Sequence, residues 1–168
     1  MKILKPILLV LACLFIVLQF FRPPRNSAGE GPAEDITTTH EVPQLVQDIL
    51  QRSCYDCHSS STEYPWYAQV QPVGWWLYSH ISDAKEELNF SEFALYGVRR
   101  QYIKLQQIAE RVADNEMPLP SYLLLHADAE LSPDQKKMLI TWADTARDSM
   151  KSRYPPDSLL RGNKPAGS

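Results

Sequence analysis

Cys54-Tyr55-Asp56-Cys57-His58 constrains this chain more than any other stretch of it. Three chemistries use two cysteines at this spacing, and each demands a different neighbourhood. A redox pair of the thioredoxin kind needs a strand before it and a helix after it, whose N-terminus lowers a thiol pKa. Here the helical pattern comes before the cysteines, which is the reverse order. A structural zinc site needs four ligands. The third cysteine, Cys13, lies in an apolar run far upstream, so two zinc ligands would have to come from His58, His80, His126 or a carboxylate. His58, directly behind Cys57, is poorly placed to share one tetrahedron with both sulfurs.

The third chemistry is covalent haem attachment. Two thiols add across the two vinyl groups on one porphyrin edge, which sets their spacing, and the adjacent histidine is carried beneath the iron as its proximal ligand. Only this reading uses Cys54, Cys57 and His58 together, and it is the expectation taken forward, with the redox and zinc readings left open. It implies one haem c and its iron as cofactor.

The chain around the motif is consistent with export. Pro6 to Phe21 is a 16-residue apolar run broken only by Gln19, preceded by Lys2 and Lys5 and followed by Arg22-Pro23-Pro24-Arg25. Such a segment can just cross a bilayer core. Its length and the lack of a small-residue cleavage site favour a retained single-pass anchor over a cleaved signal peptide, which would leave a secreted periplasmic form. Cys13 inside it reads as a membrane-buried thiol. Basic residues flank both ends, so charge bias does not orient the segment. Haem attachment does, since it acts on exported chains, and the expected location is the inner membrane with the domain on the periplasmic side.

Composition excludes other classes. The 168 residues carry 17 Lys+Arg and 20 Asp+Glu, a net charge of −3, with no basic footprint for nucleic acid. Residues 1–25 hold four of the basic side chains and no acids, so residues 26–168 have 13 basic against all 20 acidic side chains, a net −7. An acidic domain behind an N-terminal anchor follows. The expected divisions are an anchor or signal segment over 1–25, a flexible spacer over 26–41 with a Gly-Glu-Gly-Pro turn signal, a haem-binding domain over 42–153 and a loose tail over 154–168.

Within the domain the apolar period is helical. Val42, Leu45, Val46, Ile49 and Leu50 make one stripe that ends at the motif. Leu77, Ile81, Ala84 and Leu88 make a second, with Trp76 and His80 beside it. Val98, Tyr102, Leu105, Ile108, Ala109 and Val112 make a third. The fourth, Met138, Leu139, Trp142, Ala143, Ala146 and Met150, follows Ser132-Pro133-Asp134-Gln135, a capping box with proline at the first helical position. Nothing alternates with period two, so the expected fold is all-α, a cytochrome c-like helical domain around one haem, behind one transmembrane helix. Four helices make a small core, and flat aromatic side chains suit a macrocycle. Trp66, Trp76 and Trp142 are the candidates for the haem pocket wall.

The sixth iron ligand sets the chemistry. Methionine raises the potential and suits electron transfer, a second histidine lowers it, and an open site permits ligand binding or peroxide chemistry. Met117 lies in Asn115-Glu116-Met117-Pro118-Leu119-Pro120, an extended loop stiffened by proline, and is the leading candidate. His126 and His80 are the alternatives, and an open sixth position also remains.

With these residues in view the chain resembles a class I c-type cytochrome. Over about Val42 to Ala146 it resembles more closely the haem-binding domain family of membrane-anchored proteins from Bacteroidetes-type bacteria. Ser53 through His58, Tyr64-Pro65-Trp66-Tyr67, Asn89-Phe90-Ser91-Glu92-Phe93, Met117-Pro118, Ser121-Tyr122 with His126, and Leu131-Ser132 leading to Trp142 carry the likeness. The resemblance implies a c-type haem and an exported, anchored location, with neither a reaction nor a partner. The expected function is a membrane-tethered mono-haem electron carrier with unidentified redox partner proteins. The alternative is a haem-based sensor with an open sixth site. Peroxidase activity is the less favoured reading, since familiar c-type peroxidases use two haems and there is one motif here.

Overall fold

The computed structural model describes residues 4–26 and 34–160. Eight α-helices carry the described chain: α1 (Leu4–Leu18), α2 (Gln44–Ser53), α3 (Tyr55–His58), α4 (Val73–Glu87), α5 (Val98–Ala113), α6 (Pro120–Leu123), α7 (Pro133–Arg153) and α8 (Pro156–Leu160). Short 3-10 turns at Ile36–Thr38, Trp66–Gln69, Phe90–Leu95 and Ala127–Ala129 link them, and no strand occurs among the described residues. The chain is all-α, as the apolar period requires.

The α5–α7 pair forms the centre of the core. Leu105, Ile108 and Val112 of α5 face Leu139, Ala143 and Met150 of α7, all buried. Helix α7 starts where its capping box directs: Ser132 Oγ accepts from Gln135 N at 3.2 Å, and Gln135 Oε1 accepts from Ser132 N at 2.9 Å. Two of the three orphan amides of the helix start are thereby satisfied, Pro133 having no N–H to offer. Helix α2 packs across α7 through Val46, Ile49 and Leu50, and α8 folds back onto α5 with Leu159 buried.

The core takes in more of the chain than residues 42–153. Ile36, within the stretch read as spacer, is fully buried, and the His40 ring lies edge-on to Phe93 with centroids 5.6 Å apart. Leu159, in the stretch read as tail, is 2% exposed. The Gly-Glu-Gly-Pro signal lies outside the described residues. Two stripe members face outward: Leu45 is 63% exposed, and Met138 borders a surface groove between α2 and α7.

Helix α1 holds no buried residue. Its 15 residues span about 22 Å at 1.5 Å each, short of the roughly 30 Å of a bilayer core. No helix among the described residues is long and apolar enough to cross a membrane, so the expected transmembrane helix is not found. The apolar run counted in the sequence reaches Phe21, but the helix ends at Leu18, ahead of Arg22-Pro23-Pro24.

Candidate functional site

Helix α2 delivers the motif. It stops at Ser53 because Cys54 leaves helical geometry at φ −131°, and α3 restarts at once, with Cys57 N and His58 N both bonded to Cys54 O at 3.2 and 2.9 Å. One turn of helix therefore separates the two sulfur-bearing residues and places His58 directly after them.

The His58 ring is held from one side only. Its Nδ1 lies 3.0 Å from Ala84 O and 3.0 Å from Leu88 O, both at the end of α4. Carbonyl oxygens only accept, so Nδ1 carries the ring proton and Nε2 keeps its lone pair. Burial pulls the His58 pKa below its ordinary value, against the two carbonyls that raise it, and the ring is neutral at pH 7. A neutral imidazole with Nδ1 tied to a carbonyl and Nε2 free is the form that binds a metal.

Around it the fold makes an open cleft of about 240 Å³, lined by Cys54, His58, Leu88, Phe90, Ile108, Val112, Met117, Pro118 and Leu139. Phe90 stacks on Tyr55 (5.2 Å, 14°) and presents its edge to His58 (6.3 Å, 77°). Behind the histidine, Asn89 Nδ2 donates to Ser60 Oγ at 3.1 Å and Ser60 N donates to Ser91 Oγ at 3.1 Å. This knot ties the chain just past His58 to the end of α4. At the rim Lys104, its stem buried, pairs with Glu87 at 2.8 Å, and Arg111 pairs with Glu116.

Met117 reaches the same cleft by local construction. Helix α5 ends at Ala113, Asn115 takes the left-handed conformation at φ 58°, and Glu116 N and Met117 N both bond back to Arg111 O. Asparagine is among the few residues that adopt this conformation readily at a helix end. The turn brings Met117, half-buried, to the cleft lining alongside His58.

The remaining candidates are elsewhere. His80 is exposed and packs on Trp76 at 4.2 Å. His126 stacks on Tyr122 at 4.2 Å and 10°. Neither lines the cleft, and neither does Cys57. Trp66 is 77% exposed and Trp76 51% exposed, while Trp142 is buried with Nε1 donating to Glu41 O at 3.0 Å. The cleft wall is built instead from Leu88, Phe90, Ile108 and Leu139. Phe90 and Asn89 belong to a segment that carries the family likeness, but no periodic signal marks them as site residues. The carbonyls of Ala84 and Leu88 have no sequence signature at all.

These features discriminate among the three chemistries. Burial pushes the Cys54 thiol up to about 12 and the Cys57 thiol up to about 11, so both are neutral, the opposite of an activated redox cysteine. Among the described residues no three His, Cys, Asp or Glu side chains come together in a metal-binding group, whereas a tetrahedral zinc site takes four ligands. A haem fits the residues present: a neutral histidine with Nε2 available, a thioether and a thiol share one apolar cleft. Ser53 Oγ on its wall is buried without a hydrogen-bond partner, as befits a site completed by a ligand.

Fold and site together define a helical haem-binding module. The family model of the haem-binding domain matches residues 13–145, most of the chain, and the protein belongs to that family. No curated protein and no solved structure matches the chain.

Proposed function

We propose that the domain carries one covalently attached haem c, held by thioethers at Cys54 and Cys57 with His58 and Met117 as axial ligands, and that it works as a membrane-tethered single-electron carrier. The observation that carries this reading is the cleft shared by His58 and Met117, with the imidazole neutral and its Nδ1 engaged. Of the three residues weighed for the sixth position, Met117 alone lines that cleft. A haem held by these residues would supply reversible one-electron iron chemistry, and ligation by Met117 would raise its potential.

The chain's own residues do the rest. Ala84 O and Leu88 O hold the imidazole proton on Nδ1 and so aim the basicity at Nε2. Leu88, Phe90, Ile108 and Leu139 keep water from the cleft floor. The apolar α1, none of whose residues is buried, anchors the domain to the periplasmic face of the inner membrane, and a net −7 over residues 26–168 selects redox partners with a basic docking face.

The test is the full chain produced in an exporting host with haem-attachment machinery, compared with Met117→Ala and, as a control, Met138→Ala. The chromophore should stay with the polypeptide through acid–acetone extraction. The ferric far-red charge-transfer band of methionine ligation should vanish in Met117→Ala and persist in Met138→Ala. An extractable chromophore overturns covalent attachment. Carbon monoxide binding to the reduced wild-type protein without displacement of a ligand overturns Met117 and restores the open-site sensor.

A further inference from the structure

From Tyr64 to Ser82 the chain has 19 residues without Lys, Arg, Asp or Glu, its longest uncharged stretch, inside a domain of net −7. Three of the four tryptophans fall there. A charge-free segment buried in a core would need no explanation, but this one is largely outside. Val70, Val73, Trp75 and Trp76 are 37%, 39%, 36% and 51% exposed, and of the first four residues of α4 only Gly74 is buried. None of these side chains lines the haem cleft.

The position of this surface is set by the end of α1. Gln19, one residue past that helix, is paired reciprocally with the backbone of Gln71: Gln19 Nε2 donates to Gln71 O at 3.1 Å and Gln71 N donates to Gln19 Oε1 at 2.9 Å. Trp75 Nε1 donates to Phe21 O at 2.7 Å, and Asn26 Nδ2 donates to Ser59 O at 2.8 Å. Gln71 is itself buried, with its Oε1 accepting from Trp75 N at 3.0 Å. The chain leaving α1 is thus strapped onto the N-terminal end of α4 rather than connected through a free linker.

We infer that this exposed aromatic face, Val70, Val73, Trp75 and Trp76 with Phe20 and Phe21 of the strap, lies in the headgroup layer of a phospholipid bilayer. The inference rests on the anchoring of α1 given under Proposed function. Tryptophan is enriched at that depth because its ring is apolar and its N–H polar. Because the face has no carboxylate, the acidic remainder of the domain is turned away from an anionic surface.

The consequence is a fixed standoff. The carbonyls that hold His58 are at the other end of α4, nine to thirteen residues beyond Trp75, which places the haem cleft on the order of 15–20 Å from the headgroup layer. The domain is a post of set height rather than a swinging tether.

The experiment uses the haem-loaded full chain in vesicles of phosphatidylcholine and phosphatidylglycerol that carry a headgroup-attached diazirine lipid, with labelled peptides mapped by mass spectrometry. Label is expected in residues 4–21 and in 66–80, and not at Leu95 or Leu124, which are 68% and 83% exposed but lie outside the face. In Gln19→Ala, label in 66–80 should fall about fivefold while label in 4–21 persists, the effect of loosening a strap whose net hydrogen-bond worth is of that order. Label confined to 4–21 in the wild-type protein overturns the inference and leaves the anchor standing. No label in 4–21 overturns the anchor and the inference together.

Discussion

Removing the Tyr122 hydroxyl tests how the Met117 loop is held. Tyr122 lies in α6, five residues past Met117, and its O–H donates to Asp56 Oδ2 at 2.8 Å. Asp56 sits between the two cysteines, and its Oδ1 accepts from Glu63 N at 3.3 Å. One carboxylate thus links the loop that presents Met117 to the helix that presents His58. Burial, followed by the Asp56 carboxylate, holds the Tyr122 phenol above its ordinary range, so the donor stays protonated at alkaline pH. A hydrogen bond to a charged acceptor is worth about 1.5–3 kcal/mol, and solvent at these half-buried residues selects the low end, about 1.5 kcal/mol. Tyr122→Phe keeps the ring and its stack on His126 while deleting only the bond.

The assay is a double-mutant cycle in urea with Tyr122→Phe and Asp56→Ala, and the expected coupling is about 1–1.5 kcal/mol. Asp56→Ala alone costs more than Tyr122→Phe, because it also removes the bond from Glu63 N. In the haem-loaded protein the same loosening should let added imidazole replace Met117 at an up to tenfold lower concentration, about 1.4 kcal/mol. Additivity of the two substitutions within about 0.5 kcal/mol refutes the strut. A normal coupling with unchanged imidazole displacement refutes its control of Met117.

Two further outcomes follow from buried groups. Phe90, 1% exposed between Tyr55 and His58, should cost about 3–5 kcal/mol of unfolding free energy as Phe90→Ala but under about 1.5 as Phe90→Leu, read from urea midpoints. A small loss for the alanine variant removes Phe90 from the cleft wall. His40 is buried, its Nε2 3.3 Å from Gln101 Oε1, and burial lowers its pKa against that bond. The folded state thus binds fewer protons than the unfolded one below pH 6.5, so stability falls as pH drops through that value. His40→Gln should flatten the fall between pH 7.5 and 5.0, and an unchanged slope assigns it to other groups.

The long helices were legible because each shows its own face. The stripes on α2, α5 and α7 recur at helical spacing, and the capping box announces the start of α7 within a residue. The cleft was legible only where its chemistry is local: Cys54 and His58 of one pentapeptide and a methionine in a proline-bounded loop. Ile36 enters the core as a single apolar residue among polar neighbours and Leu159 as half of a Leu159-Leu160 pair, runs too short for any periodicity to reveal. The tryptophans misled for a related reason. An aromatic residue in an uncharged stretch is equally suited to a core, a cofactor or an interface, and Trp66 and Trp76, 77% and 51% exposed, stand outside the cleft wall.

The least legible part of the site is also the most exacting. His58 depends on two backbone carbonyls at residues 84 and 88, and whether they are free to accept depends on where α4 stops. Ala84 O is already bonded to Leu88 N at 2.8 Å, whereas Leu88, the C-cap, has turned to an extended conformation at ψ 121° and directs its own carbonyl elsewhere. A helix continued by one residue would displace its last carbonyl by about 1.5 Å along the axis and about 100° around it, beyond the reach of Nδ1. The stop is therefore part of the site. It is secured by Asn89, whose Oδ1 caps the following turn through Ser91 N at 3.1 Å and whose Nδ2 reaches Ser60 Oγ at 3.1 Å, two residues past His58. The same asparagine that ends the helix thereby also holds the histidine's own chain segment against it, and the tautomer of His58 is set by secondary structure rather than by any side-chain partner.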